Sequence, residues 1–213
     1  MPEPVLCKIC GKRRARRACP AVQGDICPIC CGTEREVSLS CPLECEYLQE
    51  AHKHEKPVLA EGHQVSYRDV EVSESFLRRH EELALFCVYA LYQAAQRTAG
   101  AIDTDAIAAL EAVIQTERTA QSGLIYESKP ENFVALGVQR SFAASLEDYR
   151  KLQAEREPLA PVRSSDLLCA LVFLHRLGQQ NQNGRPRGRM FLDILRQMTP
   201  EKAVEEQPSG III

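Results

Sequence analysis

Cysteine is concentrated near the start of this 213-residue chain, where eight of its ten cysteines lie between residues 7 and 45. They are Cys7, Cys10, Cys19, Cys27, Cys30, Cys31, Cys41 and Cys45. The first two and the pair Cys27 and Cys30 each have the spacing C-x2-C, and a glycine follows each pair closely. Two thiolates at this spacing converge on one metal ion when a tight turn separates them. The pattern therefore predicts zinc binding.

Ligand assignment requires a partner for each C-x2-C pair. Cys41 and Cys45 are spaced i, i+4 at the start of a predicted helix over residues 46–55, so we expect them to share a helical face. We predict two zinc ions. The predicted ligands of the first are Cys7, Cys10, Cys41 and Cys45. Those of the second are Cys19, Cys27 and Cys30, with His54 or Cys31 in the fourth place.

His52 is a further candidate for the second ion. It lies on the face of Cys41 and Cys45, but roughly 10 Å along the helix axis from Cys45. That distance excludes it from a site shared with this pair. The sequence leaves open whether Cys31, His52 or His54 completes the second site, and a histidine exposed on the surface is the alternative interpretation.

Three other kinds of cysteine chemistry compete with zinc binding. A disulfide framework requires an oxidising compartment, and the N-terminus has no apolar segment typical of a secretory signal. A thioredoxin-like pair requires a strand–helix context around one C-x-x-C, which this dense region does not supply. An iron–sulfur cluster also takes four thiolates, but the glycines and prolines of the pairs favour zinc.

Two resemblances follow from these motifs. The order C-x2-C, C-x2-C, C-x3-C-x6-H resembles MYND-type and HIT-type cross-braced zinc fingers. The matching residues are Cys7, Cys10, Cys27, Cys30, Cys41, Cys45 and His52. The gaps between pairs are longer here, and Lys56 stands where the last cysteine of those fingers is expected. The segment CPICCGTEREV…CPLECEYL is similar to uncharacterised bacterial proteins with a cysteine-rich head and a helical body, in which a histidine matching His54 follows the helix. The finger families imply protein recognition rather than catalysis.

Charge is nearly balanced, with 26 basic and 29 acidic residues and a pI near 6.0, which argues against attraction of the whole protein to nucleic acid. Two short segments are nevertheless basic. They contain Lys12, Arg13, Arg14, Arg16 and Arg17, and Arg185, Arg187 and Arg189. Guanidinium groups suit phosphate oxygens, so these residues are candidates for contacts with an RNA or DNA backbone. A solvated charged surface is the alternative interpretation.

Signatures of enzymes are missing from the sequence, including nucleotide-binding glycine loops, H-E-x-x-H and G-x-S-x-G. The longest dense apolar run, residues 83–92, is shorter than the roughly 20 residues that cross a bilayer. We expect a soluble, cytoplasmic, non-enzymatic protein that acts as an adaptor or regulator and contacts another protein. The sequence does not set its oligomeric state.

The elements that position the cysteines are predicted to be mainly helical. Apolar periodicity predicts helices over 73–99, 103–123, 131–154, 164–177 and about 191–198. Ser73 caps the first, and Gly100 suits its C-terminus. Residues 57–72 are a polar connector with a short strand or hairpin, and residues 181–189 are not helical. The predicted fold is an N-terminal two-zinc module of treble-clef or cross-brace type over 1–56, a four- to five-helix bundle over 57–200, and a disordered tail over 201–213.

Overall fold

A computed structural model describes residues 5–58, 65–124, 126–159 and 161–199. Two short strands, β1 (Arg17–Cys19) and β2 (Gly24–Ile26), form an antiparallel hairpin. Eight helices lie in these residues: α1 (Pro28–Glu34), α2 (Glu46–His52), α3 (Glu74–Arg79), α4 (Glu81–Arg97), α5 (Asp103–Gln121), α6 (Phe133–Arg156), α7 (Ser164–Gln180) and α8 (Met190–Met198). The prediction of a mainly helical protein is confirmed. The predicted disorder of 201–213 falls outside the described residues.

The body, defined as residues 65–199, is built around α4. This helix packs against α6, α7 and α8, and α5 packs against α6 and α7. The largest fully buried side chains of these helices include Leu91, Leu110, Phe142, Leu171 and Phe191. Apolar residues at helical spacing thus meet in one core, as the sequence pattern predicts.

The predicted helix over 73–99 is divided into α3 and α4 at His80. His80 leaves the helical conformation with φ −116° and ψ 35°, and its ring stacks on Phe76 at 4.7 Å between centroids. The Ser73 hydroxyl accepts a hydrogen bond from the Phe76 N–H at 3.1 Å, so the predicted cap serves the shorter helix α3. Gly100 has φ +80°, the left-handed conformation that favours glycine after a helix.

Asp103 fixes α8 against the start of α5. Its buried carboxylate accepts hydrogen bonds from the N–H groups of Phe191 and Leu192, each at 3.0 Å. These are N–H groups of the first turn of α8, which lack partners within the helix. Burial raises the pKa of Asp103 to about 7, although these two N–H groups act in the opposite direction. This contact fixes the position of α8, and in that position Asp193 faces His52.

The connector is held by Arg176 rather than by strand pairing. The guanidinium of this residue donates to the backbone carbonyls of Ser66, Tyr67 and Val70 at 3.1, 2.8 and 2.9 Å. In the described parts of the predicted connector, 57–58 and 65–72, no strand forms. The predicted strand or hairpin is therefore not seen in these residues.

The head, defined as residues 5–56, shares its core with the body. Cys41, Leu43 and Leu48 belong to the same buried apolar cluster as Leu83 and Leu91 of α4. The apolar cluster thus continues across the predicted boundary at residue 56. Among the described residues, no helix combines the length and apolar character needed to cross a bilayer.

Candidate metal centre

Four cysteines of the head gather into one cluster. The sulfur atoms of Cys7, Cys10, Cys27 and Cys30 all lie within 4.8 Å of one another, and all four are free thiols. The first pair lies in the loop before β1, and the second lies at the start of α1. The hairpin between them, paired from Arg17 opposite Ile26, brings the two pairs together.

The first pair sits in a turn that directs N–H groups at a sulfur. Gly11 closes this turn with φ +62°, and its N–H donates to the Cys7 carbonyl at 2.7 Å. A side chain at this φ would strain the backbone. The N–H groups of Lys12 and Arg13 lower the pKa of the Cys10 thiol, as expected for a sulfur positioned to become a thiolate.

The second pair lies in the first turn of a helix rather than in a second tight turn. Cys27 is the N-cap of α1, and its sulfur accepts from the Cys30 N–H at 3.4 Å. Pro28 at the first helical position favours this helix start. Gly32, expected to relieve a turn, lies inside α1 instead.

Ionisation of these thiols is uneven. Burial opposes the thiolate at Cys7, but the N–H groups of Cys10, Cys27 and Ile9 together lower the pKa of this thiol to about 6. Burial, together with the hydrogen bonds of Cys30 to the other three cysteines, raises the pKa of its thiol to about 12. Like charges so close oppose one another, and a divalent cation removes this opposition. Four thiolates also leave no open coordination position, which is typical of a structural site.

This cluster differs from the predicted ligand grouping. Cys7 and Cys10 were expected to join Cys41 and Cys45, but they lie with Cys27 and Cys30. The expected helical face is also absent, because Cys45 is the N-cap of α2 and Cys41 precedes the helix. The i, i+4 spacing of Cys41 and Cys45 is compatible with a helix and also with an extended segment that leads into a helix. Only the folded structure shows which of the two conformations the segment adopts.

His54 lies away from the sulfur cluster. Its side chain is 76% exposed, and its Nε2 lies 3.1 Å from a carboxylate oxygen of Glu50. A partner one helical turn away explains this position without a metal. The geometry therefore does not support the predicted role of His54 as a fourth ligand.

His52 lies between two buried carboxylates. Its Nδ1 is 3.1 Å from Asp193 Oδ2, and its Nε2 is 3.1 Å from Glu36 Oε2. Burial acts against its charge, but the two carboxylates prevail and raise the pKa of His52 to about 9. The imidazolium donates from both nitrogens and keeps no lone pair for a metal. Although Glu36, His52 and Glu55 also bring donor atoms within 4.8 Å, this group is an ion-paired network.

Glu36 extends this network to the loop after α7. Its fully buried carboxylate accepts from Asn183 Nδ2 at 2.7 Å and from the Arg189 N–H at 2.6 Å. Its carbonyl accepts from the Arg187 N–H at 2.8 Å. Glu36 and Asp193 carry no signal in the sequence, because no spacing along the chain links residues 36, 52 and 193.

The two predicted basic segments have different surroundings. Arg185 donates to the Arg35 carbonyl at 2.7 Å and to a Glu55 carboxylate oxygen at 3.0 Å. Arg189 donates to the Cys41 carbonyl at 3.0 Å, and Arg187 donates to the Ser40 hydroxyl. These arginines fasten the head to the body.

In the first basic segment, two arginines contact the cysteines. Arg13 forms a hydrogen bond with Cys27 that raises the pKa of its guanidinium, and Arg17 Nη1 lies 3.2 Å from Cys31 Sγ. The remaining side chains of this segment, those of Lys12, Arg14 and Arg16, are exposed.

Models of known protein families, curated proteins and solved structures give no match to this chain. The resemblances to cross-braced zinc fingers and to bacterial proteins with a cysteine-rich head therefore stay predictions. The chemistry of the site and its surroundings carries the functional inference.

Proposed function

We propose that this chain is a non-enzymatic, cytoplasmic zinc protein whose head is an adaptor module that contacts another protein. The observation that carries the proposal is the closed cluster of Cys7, Cys10, Cys27 and Cys30. A four-thiolate site holds a fold together and offers no position for a substrate or a reactive water. The role of such a site is then to hold the surrounding chain in the shape of a binding surface.

The order of elements around the cluster supports a treble-clef module. A tight turn supplies Cys7 and Cys10, the β1–β2 hairpin follows, and the first turn of α1 supplies the second pair. Zinc–sulfur bonds of 2.3 Å in a tetrahedron place sulfurs about 3.8 Å apart. Sulfurs within 4.8 Å suit a single ion, whereas an iron–sulfur cluster inserts several atoms between its thiolates and requires a wider set.

Apolar side chains are exposed beside this cluster. Ile9 and Ile29 occupy the same place in the two C-x2-C pairs, directly before the second cysteine, and are 38% and 54% exposed. Val5 and Leu6, directly before Cys7 in the chain, are also exposed, at 61% and 54%. A surface with neighbouring exposed aliphatic residues on a rigid support favours protein contact. We call these four residues the aliphatic patch.

Positive charge borders the aliphatic patch. Leu6 pairs with Arg14 in an isolated β-bridge, and exposed Lys12 and Arg16 flank Arg14 in sequence. Such a border complements acidic residues and steers association. The expected partner is therefore a protein surface that presents apolar residues surrounded by carboxylates.

A double substitution of the patch tests this proposal. Ile9→Asp with Ile29→Asp is expected to abolish enrichment of specific partners in affinity purification from the native cell, because two carboxylates oppose both the apolar contact and the acidic partner. Zinc content should stay unchanged, since both side chains are exposed and neither offers a ligand atom. Leu159→Asp is the matched control, because this residue of the body is fully exposed, at 101%. Equal enrichment from wild type and the double variant would refute the patch.

A nucleic-acid function is the second candidate, favoured by the exposure of Lys12, Arg14 and Arg16. If this function holds, the wild-type protein binds generic RNA or DNA at low salt. Removing three phosphate contacts then lowers the slope of log binding constant against log salt concentration by about 3. The test variant combines Lys12→Ala, Arg14→Ala and Arg16→Ala, and its binding is measured by fluorescence anisotropy at several salt concentrations.

Arg185 and Arg189 are left unchanged in this variant, because their loss would disturb the junction of head and body. No binding at low salt excludes this function, and a large loss of stability in the triple variant would contradict the exposed position of these residues.

A further inference from the structure

Four cysteines of the head remain outside the cluster described above. They are Cys19, Cys31, Cys41 and Cys45, all of them free thiols. The first three are at least nine-tenths buried, and Cys45 is partly buried. They come from three places: the end of β1, the middle of α1, and the segment that enters α2. The two cysteines of the body lie elsewhere, in the core and beside the connector.

Arg17 shows that these three segments meet. It lies two residues before Cys19 on the same face of β1, since alternate residues of a strand share a face. Its Nη1 donates to Cys31 Sγ at 3.2 Å, and its guanidinium lies over the Tyr47 ring at 4.7 Å. Tyr47 is two residues beyond Cys45. One side chain thus joins β1 to α1 and to the first turn of α2.

Packing connects the remaining thiols. Cys45 packs against the buried apolar cluster that contains Cys41. Leu39 packs against the apolar cluster that contains Cys19 and Cys31 and also against the one that contains Cys41. The four cysteines therefore lie on segments that pack together where β1, α1 and the start of α2 meet.

We propose that Cys19, Cys31, Cys41 and Cys45 bind a second zinc ion. This inference rests on the proposed zinc module and assigns its second ligand set. The sulfurs of this set are not gathered as tightly as those of the first, so metal binding would draw them together. Each thiol gives its proton to solvent as its sulfur binds the ion, and Arg17 offsets part of the negative charge of the resulting four-thiolate site.

The second ion would have a structural role that the first lacks. The first set lies within one continuous unit, from the turn before β1 to the start of α1. The second set instead ties this unit to the segment before α2, where Leu43 and Leu48 enter the core of the body. Zinc at this place would couple the treble-clef unit to the helical bundle.

Zinc stoichiometry of the full-length chain tests the assignment. We expect two ions per wild-type chain, and one ion per chain after Cys31→Ser or Cys41→Ser. Cys169→Ser is the matched control and should keep two ions, because this cysteine donates to the Glu71 carbonyl and lies far along the chain from the head. The wild-type protein exchanged with ¹¹³Cd should give two resonances in the range of four-sulfur sites, and this measurement needs no variant.

The outcomes separate the two proposals. One ion per wild-type chain, lost in Cys10→Ser but kept in Cys41→Ser, refutes the second site and leaves the first intact. Two ions per chain with no loss in Cys31→Ser and Cys41→Ser refute this ligand set. No ion in freshly isolated, reduced protein refutes both sites together.

Discussion

Replacing Cys10 or Cys27 by serine is expected to release at least one zinc ion per chain and to unfold residues 7–35 of the head. The head contains one short hairpin and two seven-residue helices, and such a small unit buries too little apolar surface to fold alone. Structural zinc contributes about 10–16 kcal/mol to the folding of small zinc modules, so the loss of one of four ligands removes most of what holds the head. Metal analysis gives the stoichiometry, and hydrogen exchange gives the extent of unfolding.

The same experiment distinguishes the head from the body. Amide protection should be lost over residues 7–35 and kept in α4, α5, α6 and α7, whose contacts with one another do not involve the cysteine cluster. Cys169→Ser serves as the control that removes a thiol without removing a ligand. If both Cys10→Ser and Cys27→Ser keep the wild-type zinc content, the assignment of the first ligand set is wrong.

Replacing His52 by alanine is expected to lower the free energy of unfolding by about 3–5 kcal/mol. The imidazolium separates two buried carboxylates, those of Glu36 and Asp193, and its removal takes away the cation between them. Asp193 keeps its ion pair with Arg196 at 2.8 Å, but Glu36 keeps only neutral donors. His54→Ala is the matched control, since this neighbouring histidine is exposed and should change stability by less than about 0.5 kcal/mol. Urea unfolding of both variants at pH 6 measures the difference. Equal stabilities of the two variants would contradict the paired, buried state of His52.

The pH dependence of stability gives a separate check on His52. Its pKa of about 9 in the folded protein exceeds the ordinary value of 6.5, so the folded state binds the proton more tightly than the unfolded state. The stabilisation is complete below pH 6.5 and is lost as the pH rises through 9. A shift of this size corresponds to about 3 kcal/mol. Zinc-saturated wild-type protein should lose about this much stability between pH 6 and 10 beyond any change in His52→Ala, and parallel pH profiles would refute the assignment.

Several features of this protein follow from local sequence alone. The apolar periodicity of α5, α6 and α7 predicts their positions to within a few residues at most ends, because the buried face of an amphipathic helix repeats with the helical period. The cap at Ser73, the left-handed Gly100 and the irregular loop over 181–189 likewise depend on single residues and their neighbours. The concentration of cysteines predicts a thiolate site, because the cysteine side chain itself supplies the thiolate ligand.

The tertiary structure alone decided which cysteines meet. Spacing along the chain does not determine which pairs lie close in space, and here the β1–β2 hairpin brings Cys7 and Cys10 to the start of α1 instead of to Cys41. His52 and Asp193 are 141 positions apart, so no sequence period relates them. Local propensity acts over a few residues, whereas a ligand set or a buried ion network depends on how whole elements pack. The sequence therefore supplied the chemical groups and the helices, and the packing of the head on the body selected their partners.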